Sequence, residues 1–426
     1  MAKNNIVNTF EDSFYDQNLK HHHKVINDPI HGYITLDDYT IDFIDTVQFQ
    51  RLRELKQLGV LYYVFPGASH NRFEHSIGVS HLAGTLVERF AREQPELEIS
   101  SNEIKCVKLA GLCHDLGKKM WVVQKQPNCP PPGSTWTHEQ GSERMLEYLV
   151  DDNQIDIEKD EINFIKDLIA GEPRESSRVI NNEICYHHKE VYNLYEMFHT
   201  RHSLHRQIYT HRVGTAIELM VVDAFLAAND YLKIADMIDN PEDYLHLTDD
   251  IVHTIEKSKC PELEKARHII KSIRKRDLYK FVDEFLIPPE LEDRLDKHII
   301  NAQNIVNHQT DNAGLTERDV IVRFTKINYA MNERNPVDSI RFYSKFNEQE
   351  SFNISKQKVS YMIPSKFQDI TIRVFTRDPL KMQAIQKAFR KCLKEITHIS
   401  DLDPTVSLPE GRLNSKRFRS NGHEKV

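Results

Sequence analysis

The chain has 426 residues, of which 39% are hydrophobic and 28% are charged. This balance is typical of a globular protein and excludes a chain that is disordered throughout. The formal net charge of −8 excludes a simple basic coat for nucleic acid, although local basic clusters remain. No run of 18 apolar residues occurs, so the sequence predicts no transmembrane helix and no membrane partner. The six cysteines follow no CxxC spacing, which indicates reduced thiols rather than disulfides or a cysteine zinc site.

The N-terminal residues 1–23 are polar and end in three consecutive histidines, His21, His22 and His23. Successive positions of a helix or strand do not converge on one ion, so the triplet does not predict a metal site. We interpret residues 1–23 as a disordered leader and residue 24 as the start of a folded domain.

Helical periodicity dominates the next part of the chain. Apolar side chains recur at intervals of three or four, which predicts helices near residues 44–58, 73–90, 103–116, 138–149 and 162–169. Two stretches interrupt the pattern. Residues 118–136 contain three consecutive prolines, which exclude a helix, and residues 171–182 form a short polar connection. A long helix is then expected from about Val191 to Tyr231.

The last part of the chain mixes helical and strand-like patterns. Helices are expected near residues 247–258, 261–273 and 380–396, and short strands near 278–282, 320–324, 340–343 and 370–375. The sequence therefore predicts a mainly α fold, with a helical domain at residues 24–245 and a smaller α+β lobe at residues 246–400. Residues 401–426 are polar and are predicted to form a disordered tail.

One pair of residues points to metal chemistry. His114 and Asp115 directly follow an apolar helix, and His75 lies 39 residues upstream on an earlier predicted helix. Imidazole and carboxylate groups together suit a divalent ion such as Fe, Mn, Zn or Mg, which lowers the pKa of water for attack on phosphorus. A His-Asp pair alone is weak evidence, because chance produces it often. A histidine on an apolar helix, such as His75, is more often part of the core than a metal ligand. The cationic groups between Arg201 and Arg212 are typical of a solvated helix face or of a polyphosphate site.

Longer runs of sequence around these residues point to a family. They resemble the HD-domain deoxynucleoside triphosphate triphosphohydrolases, in particular those in which a SAM domain precedes the HD domain. The resemblance extends from Lys24 to about Arg390, and we expect no SAM domain within the 23 residues before it. The matching runs are Asn27–Gly32, Asp45–Arg53, Tyr62–His75, Gly111–Gly117, Trp136–Ser142 and Met197–Arg201.

The resemblance implies that residues 24–245 form an HD domain of dGTPase type, which hydrolyses dNTPs to deoxynucleosides and inorganic triphosphate. It implies a divalent metal cofactor (Zn, Fe, Mn or Mg) held by His75, His114 and Asp115. His138 corresponds to a catalytic histidine, and the near-neutral pKa of an ordinary histidine suits it to protonate the leaving 5′-oxygen. Residues that correspond to substrate contacts are Gln57 and Tyr209 at the sugar, Arg72 and Arg201 at the phosphates or base, and Leu58.

The same resemblance implies activation by nucleotides that bind between the subunits of a homotetramer, with residues 246–400 as the regulatory and oligomerisation lobe. The GTP activator site corresponds to Lys24, Val25, Asn27, Asp45, Gln50 and Arg53. The second activator site, for a dNTP, corresponds to Val64, Phe65, Lys189, Asn193, His211, Arg212, Arg276 and Lys280. Lys345 corresponds to a residue that reaches the nucleotide of a neighbouring subunit. The resemblance also implies a nuclear and cytosolic location and single-stranded nucleic acid as a further partner.

The chain departs from the family pattern in two places. After Gly117 the family continues with further histidines and an acidic residue of the active site, whereas this chain has Lys118-Lys119 and the Pro-rich stretch to residue 136. Residues 171–190 are much shorter than the family segment, which contains the aspartate that is the fourth metal ligand. The acids considered as substitutes are Asp151, Asp152 and Asp160, while Asp223 corresponds to a residue that is not a ligand.

Three functions stay open at this point. The first is a metal-dependent, nucleotide-activated dNTP triphosphohydrolase whose activity is weak or absent without the fourth ligand. The second is a non-catalytic isoform that binds nucleotide or nucleic acid and modulates the full-length enzyme. The third, hydrolysis of cyclic nucleotides or nucleoside monophosphates, is disfavoured by the run Asn71–His75 and by the activator-site residues.

Overall fold

A computed structural model of the protein describes residues 24–118, 137–170, 183–310 and 313–398. The predicted leader, most of the Pro-rich stretch, the connection at residues 171–182 and the predicted tail lie outside the described residues. The mainly α fold predicted from the sequence is confirmed, because helices form most of the first domain and the strands belong to three small sheets. Among the described residues, no helix combines the length and the apolar character that crossing a membrane requires.

The HD domain begins with a hairpin and continues as a bundle of helices. Three of its helices begin with a capping box, in which the side chain before the helix and the third helical residue exchange hydrogen bonds with each other's backbone. The elements are β1 (Lys24–Asp28), β2 (Gly32–Leu36), α1 (Asp38–Ile44), α2 (Val47–Gln50), α3 (Arg72–Glu93), α4 (Ser101–Cys113), α5 (His138–Asn153), α6 (Lys159–Ala170), α7 (Val191–Leu204), α8 (Arg212–Leu232), α9 (Pro241–Leu245), α10 (Ile251–Lys257) and α11 (Glu264–Arg274).

Two of the predicted helices are divided in the structure. The segment 44–58 forms the end of α1, then α2, and then a 3₁₀ turn at Arg51–Glu54, because the Thr46 side chain starts a new helix by accepting from Phe49 N. The long helix expected from Val191 to Tyr231 is interrupted after α7 by a π-helical segment, His205–Tyr209.

A contact from the C-terminal lobe lies at the interruption of the long helix. The guanidinium of Arg373 donates a hydrogen bond to the Thr210 carbonyl, and His211 has extended backbone angles, so α8 starts anew at Arg212. A continuous helix would use the Thr210 carbonyl within its own ladder.

The C-terminal lobe contains two small sheets and two helices, and one strand of these sheets, β3, comes from the HD domain between α6 and α7. An antiparallel sheet has the strand order β4-β8-β5, and α13 packs on it, while β6 joins β3 in parallel and β7 in antiparallel orientation. The elements are β3 (Cys185–His187), β4 (Lys280–Leu286), α12 (Ala302–Asn307), β5 (Val320–Asn328), β6 (Arg341–Ser344), β7 (Asn347–Phe352), β8 (Gln368–Thr376) and α13 (Met382–Thr397).

The buried side chains divide the molecule into two main cores. The first joins α3, α4, α5 and α8 and continues through Leu247, Ile255 and Ile270 to Ile273. The second begins at Val282 and contains the central strand β8 and helix α13. The packing therefore changes after Ile273, whereas the sequence suggested a boundary at residue 245. The reason is that α11 buries its apolar face against α8 of the HD domain and α10 packs on α11.

Candidate metal centre

The start of α3 and the end of α4 bring three ligand-type side chains together. His75 lies in the first turn of α3, while His114 and Asp115 directly follow the last residue of α4. The ligand atoms of these three residues all lie within 4.8 Å of one another. The Asp115 side chain is only 3% exposed, whereas about a third of each histidine remains exposed. The predicted metal residues thus converge. The carboxylate side of the group is buried, and the imidazole side is open to solvent.

Both imidazoles are prepared to offer a free electron pair. The Nδ1 atom of His114 lies 2.8 Å from the Gly111 carbonyl oxygen, so Nδ1 carries the proton and Nε2 is left as the ligand atom. Burial lowers the pKa of His75 from its ordinary value, which keeps that ring neutral near pH 7. Two imidazoles and one carboxylate are a donor set that suits a divalent metal ion, so the residues present fit the implied cofactor.

The alternative acids considered from the sequence lie elsewhere. Within the described ranges, the cluster of ligand-type residues consists of the three residues above, and Asp151, Asp152 and Asp160 do not belong to it. Asp152 accepts a hydrogen bond from Gln48. Asp223, which the resemblance places outside the ligand set, accepts hydrogen bonds from the Tyr279 hydroxyl and from Nε and Nη2 of Arg377.

Two cations also contact the carboxylate of Asp115. Arg72 Nη1 lies 2.6 Å from Asp115 Oδ2, and Lys118 Nζ lies 3.7 Å from Asp115 Oδ1. Burial alone would raise the pKa of the Asp115 carboxyl, but the surrounding positive groups, with His114 and Arg72 foremost, outweigh burial and lower its pKa. Asp115 is therefore ionised near neutral pH. The role of Lys118 was not recognised from the sequence, where it marked only a departure from the family pattern.

A tight contact between two glycines places α5 against the His-Asp turn. A Cβ atom on Gly117 would lie 2.0 Å from the carbonyl carbon of Gly141, so only glycine allows this approach. The Ser142 hydroxyl accepts from Gly117 N at 3.0 Å and lies 2.7 Å from the His114 carbonyl and 3.0 Å from the His138 carbonyl. Helix α5 consequently fixes the turn that carries His114 and also begins with His138.

His138 lies at the first position of α5, directly after the N-cap residue Thr137, whose side chain accepts from Gln140 N. Its Nδ1 atom is 2.8 Å from Glu139 Oε1, although the two are not aligned as a hydrogen bond. Burial and the positive charge of Lys118 lower the pKa of His138. At neutral pH a smaller fraction of this ring carries the proton that a general acid would donate.

Two further residues that support the turn escaped the sequence analysis. The buried Arg51 guanidinium donates to the carbonyls of Leu116, Lys118 and Leu247, and it stacks on the Tyr244 ring at 4.5 Å. The Tyr244 hydroxyl donates to the Gly117 carbonyl at 2.6 Å. In the sequence, Arg51 is a basic residue between the apolar positions of the segment 44–58, which is typical of a surface arginine.

The predicted substrate residues are divided between two regions. Gln57 is held through its backbone N–H, which donates to the His70 carbonyl, and its Oε1 atom is buried without a hydrogen-bond partner in the structure. Leu58 precedes the 3₁₀ turn Gly59–Tyr63. Arg201 instead donates to the Asn328 carbonyl of β5 at 2.8 Å, and the Tyr209 ring stacks on His205.

Four of the residues predicted for the GTP site form two contacting pairs. Lys24 Nζ lies 3.4 Å from Asp45 Oδ2, with both side chains about half exposed. Arg53 Nε donates to Gln50 Oε1 at 2.7 Å, and the Arg53 guanidinium lies over the Phe73 ring. The hairpin contributes the exposed Val25 and also Asn27, which pairs with Tyr33.

A cavity of about 250 Å³ opens beside Arg53, one of these residues. Its lining includes Arg53, Lys56, Tyr62, Asp249 and Arg274. Burial raises the pKa of Asp249 to about 6, even though its carboxylate accepts a hydrogen bond from Lys56 N.

Part of the residue set predicted for the second nucleotide also converges. The rings of Phe65 and His211 meet edge to face, with their centroids 5.3 Å apart. Arg212 Nη2 forms a salt bridge with Glu284 Oε1 at 2.7 Å, and the Arg212 guanidinium lies over the Phe281 ring. Lys280 opens strand β4 next to Phe281. The remaining predicted members lie on other elements: Val64 ends the 3₁₀ turn before Phe65, Lys189 and Asn193 flank the start of α7, Arg276 follows α11, and Lys345 follows β6.

Comparison with known proteins agrees with this geometry. The HD-domain family profile matches residues 72–207, which include all three ligand-type residues. A Dictyostelium discoideum protein, the deoxynucleoside triphosphate triphosphohydrolase SAMHD1 homolog, is 42% identical over 458 positions, covering 94% of this chain and 86% of that protein. This chain belongs to the family of SAMHD1-type HD-domain proteins. The deoxynucleoside triphosphate triphosphohydrolases SAMHD1 of Homo sapiens and Mus musculus are 39% and 34% identical, over 83% and 89% of this chain and 70% and 73% of those proteins.

The lengths of these alignments reveal residues that this chain lacks. The Dictyostelium alignment has 458 positions but includes only 94% of the 426 residues of this chain, or about 400. About 58 positions of the relative are therefore aligned with gaps in this chain. The human alignment has 444 positions and uses 83% of the chain, or about 354 residues, which leaves about 90 such positions. The two relatives therefore carry internal residues that have no counterpart in this chain.

Proposed function

We propose that the chain is a divalent-metal-dependent hydrolase that converts dNTPs, with dGTP as the preferred substrate, to deoxynucleosides and inorganic triphosphate. The observation that carries this proposal is the convergence of His75, His114 and Asp115 within 4.8 Å at the junction of α3 and α4. The names of the relatives support the choice of dNTPs as the substrate class.

Each residue of the centre has a definite task in this reaction. A bound divalent ion would supply Lewis-acid chemistry, which neutralises phosphate charge and lowers the pKa of water. Arg72 keeps guanidinium donors beyond the one that contacts Asp115, and these suit polyphosphate oxygens. The Gln57 Oε1 atom, which has no hydrogen-bond partner in the structure, accepts a hydrogen bond from a sugar hydroxyl. His138 donates a proton to the departing 5′-oxygen.

Activity of the isolated chain should be weak at neutral pH. Only three ligand-type residues converge among the described residues, and Asp115 already carries two cationic contacts. The lowered pKa of His138 further reduces the protonated fraction of the general acid. The same observations favour a second candidate, a non-catalytic isoform that binds nucleotide or single-stranded nucleic acid and modulates a full-length partner enzyme.

Nucleotide activation is the second part of the proposal. The pairs Lys24–Asp45 and Gln50–Arg53 place exposed charges and hydrogen-bonding groups where GTP would bind, and the Phe65–His211 contact with Arg212 and Lys280 supports a dNTP site. Such sites would favour assembly of a homotetramer, which we propose acts in the nucleus and cytosol. Analytical ultracentrifugation with and without GTP and dGTP tests the assembly, and an unchanged sedimentation coefficient contradicts it.

The catalytic proposal is tested by turnover of dGTP after removal of metal and readdition of Mn²⁺, Mg²⁺, Fe²⁺ or Zn²⁺ singly. Asp115→Asn should abolish the metal-stimulated rate, because it removes the charged ligand. Asp152→Asn is the matched control, since Asp152 lies outside the cluster, and it should retain the rate. Bound GTP without any turnover in any metal selects the non-catalytic isoform instead.

A further inference from the structure

Each of the two carboxylate oxygens of Asp115 lies near one imidazole and one positively charged side chain. Its Oδ2 atom lies 2.6 Å from Arg72 Nη1 and 3.8 Å from His75 Nε2. Its Oδ1 atom lies 3.5 Å from His114 Nε2 and 3.7 Å from Lys118 Nζ. Each oxygen therefore faces one candidate metal ligand and one positively charged side chain.

The backbone of the turn holds Lys118 in this position. Lys118 N donates to the Asp115 carbonyl at 3.0 Å, and the Lys118 carbonyl accepts from the buried Arg51 at 3.2 Å. The Lys118 side chain is only 17% exposed. Its ammonium is therefore part of the folded centre and not a mobile surface charge.

We propose that Lys118 acts as an internal counter-ion of Asp115 that weakens the binding of a divalent metal by the His75–His114–Asp115 site. This inference rests on the proposed function, which places the metal at these ligands. A metal ion that uses Oδ1 must displace or tolerate the ammonium, and two positive charges at one oxygen repel strongly where water is scarce. In return, the ammonium compensates the buried carboxylate when no metal is bound, so the folded centre does not depend on the ion.

Direct measurement of metal affinity tests the counter-ion. Isothermal titration of Mn²⁺ into the metal-stripped full chain is compared with titrations of Lys118→Gln and Lys118→Met, which remove the charge but keep most of the side-chain volume. We expect both variants to bind Mn²⁺ at least tenfold more tightly than the unaltered chain, a difference of about 1.4 kcal/mol. Arg72 is left unchanged because it serves the substrate.

A second lysine provides the matched control. Lys105 Nζ lies 3.0 Å from Glu161, and the Lys105 side chain is 25% exposed, but the pair joins α4 to α6 away from the centre. Lys105→Gln should leave the Mn²⁺ affinity unchanged. Circular dichroism before each titration establishes that the variants are folded. If one of the two Lys118 variants is not folded, the comparison rests on the other.

The outcomes separate this inference from the proposed function. Equal and measurable Mn²⁺ affinities of the unaltered chain and both Lys118 variants overturn the counter-ion while leaving the metal site intact. No measurable Mn²⁺ binding by any of the proteins overturns both the counter-ion and the metal-dependent function. Tighter binding by Lys105→Gln as well would show that the effect is only a change in overall charge, which also overturns the counter-ion.

Discussion

Substitution of Gly117 by alanine should destabilise the protein, because α5 packs too closely on the His-Asp turn to leave room for a Cβ atom. The added Cβ would lie 2.0 Å from Gly141 C and 2.1 Å from Ser142 N. Carbon atoms in contact prefer a separation of roughly 3.5–4.0 Å, so the backbone of the turn or of α5 must move by more than about 1 Å. That movement would also lengthen the Gly117 N–Ser142 Oγ hydrogen bond, now 3.0 Å.

Two contributions set the expected size of the effect. Overpacking of a close contact costs about 1–3 kcal/mol, and a weakened buried hydrogen bond adds about 1 kcal/mol. Because both partners here are backbone atoms that cannot rotate away, we expect a loss of about 3 kcal/mol in the free energy of unfolding. Urea denaturation followed by circular dichroism measures it. Binding of Mn²⁺ should weaken in parallel, since the same turn carries His114 and Asp115.

Gly67→Ala is the control, because no atom lies within 4 Å of the position where its Cβ would stand. This variant should unfold within about 0.5 kcal/mol of the unaltered chain, as is usual for surface substitutions. If Gly117→Ala is as stable as Gly67→Ala and binds Mn²⁺ equally well, the packing of α5 on the turn described above is incorrect.

Two further substitutions test charges elsewhere in the molecule. Burial raises the pKa of Asp249 from 3.8 to about 6, so its ionisation destabilises the folded chain as the pH rises through 6 and has no such effect below pH 4. Asp249→Asn should therefore raise the free energy of unfolding at pH 8 by about 1–2 kcal/mol, after a discount for partial exposure, with little gain at pH 4; an equal gain at both pH values contradicts this. Arg390 holds the fully buried Asp283 with bonds of 2.6 and 2.7 Å, so Arg390→Met should cost about 3 kcal/mol in urea denaturation. Its control, Arg89→Met, removes an exposed pair with Glu93 and should leave the unfolding curve unchanged.

Local sequence signals were sufficient for the helices that build the centre. Asn71 with Glu74 and Ser100 with Glu103 form capping boxes at the starts of α3 and α4, and the apolar periodicity that follows gives each helix its buried face. The antiparallel packing of these two helices brings His75 to the His-Asp turn. The convergence of the metal residues therefore follows from short-range patterns and one helix–helix contact.

Other features depend on contacts between residues far apart in the chain. The break before Arg212 coincides with a contact from Arg373, 163 residues after Thr210, to a carbonyl that helical periodicity would assign to the helix. The packing boundary after Ile273 likewise depends on which core α11 joins. Lys118 was visible in the sequence, but its approach to Asp115 follows from a turn held by Arg51.

The products formed from dGTP by the purified, metal-supplied chain test the central claim most directly. Ion-exchange chromatography of the reaction should show deoxyguanosine and inorganic triphosphate in equal amounts, with both lost in the Asp115→Asn variant. Formation of dGMP with pyrophosphate or of dGDP with phosphate, or equal rates with and without Asp115, would contradict the assignment of this centre to triphosphate release.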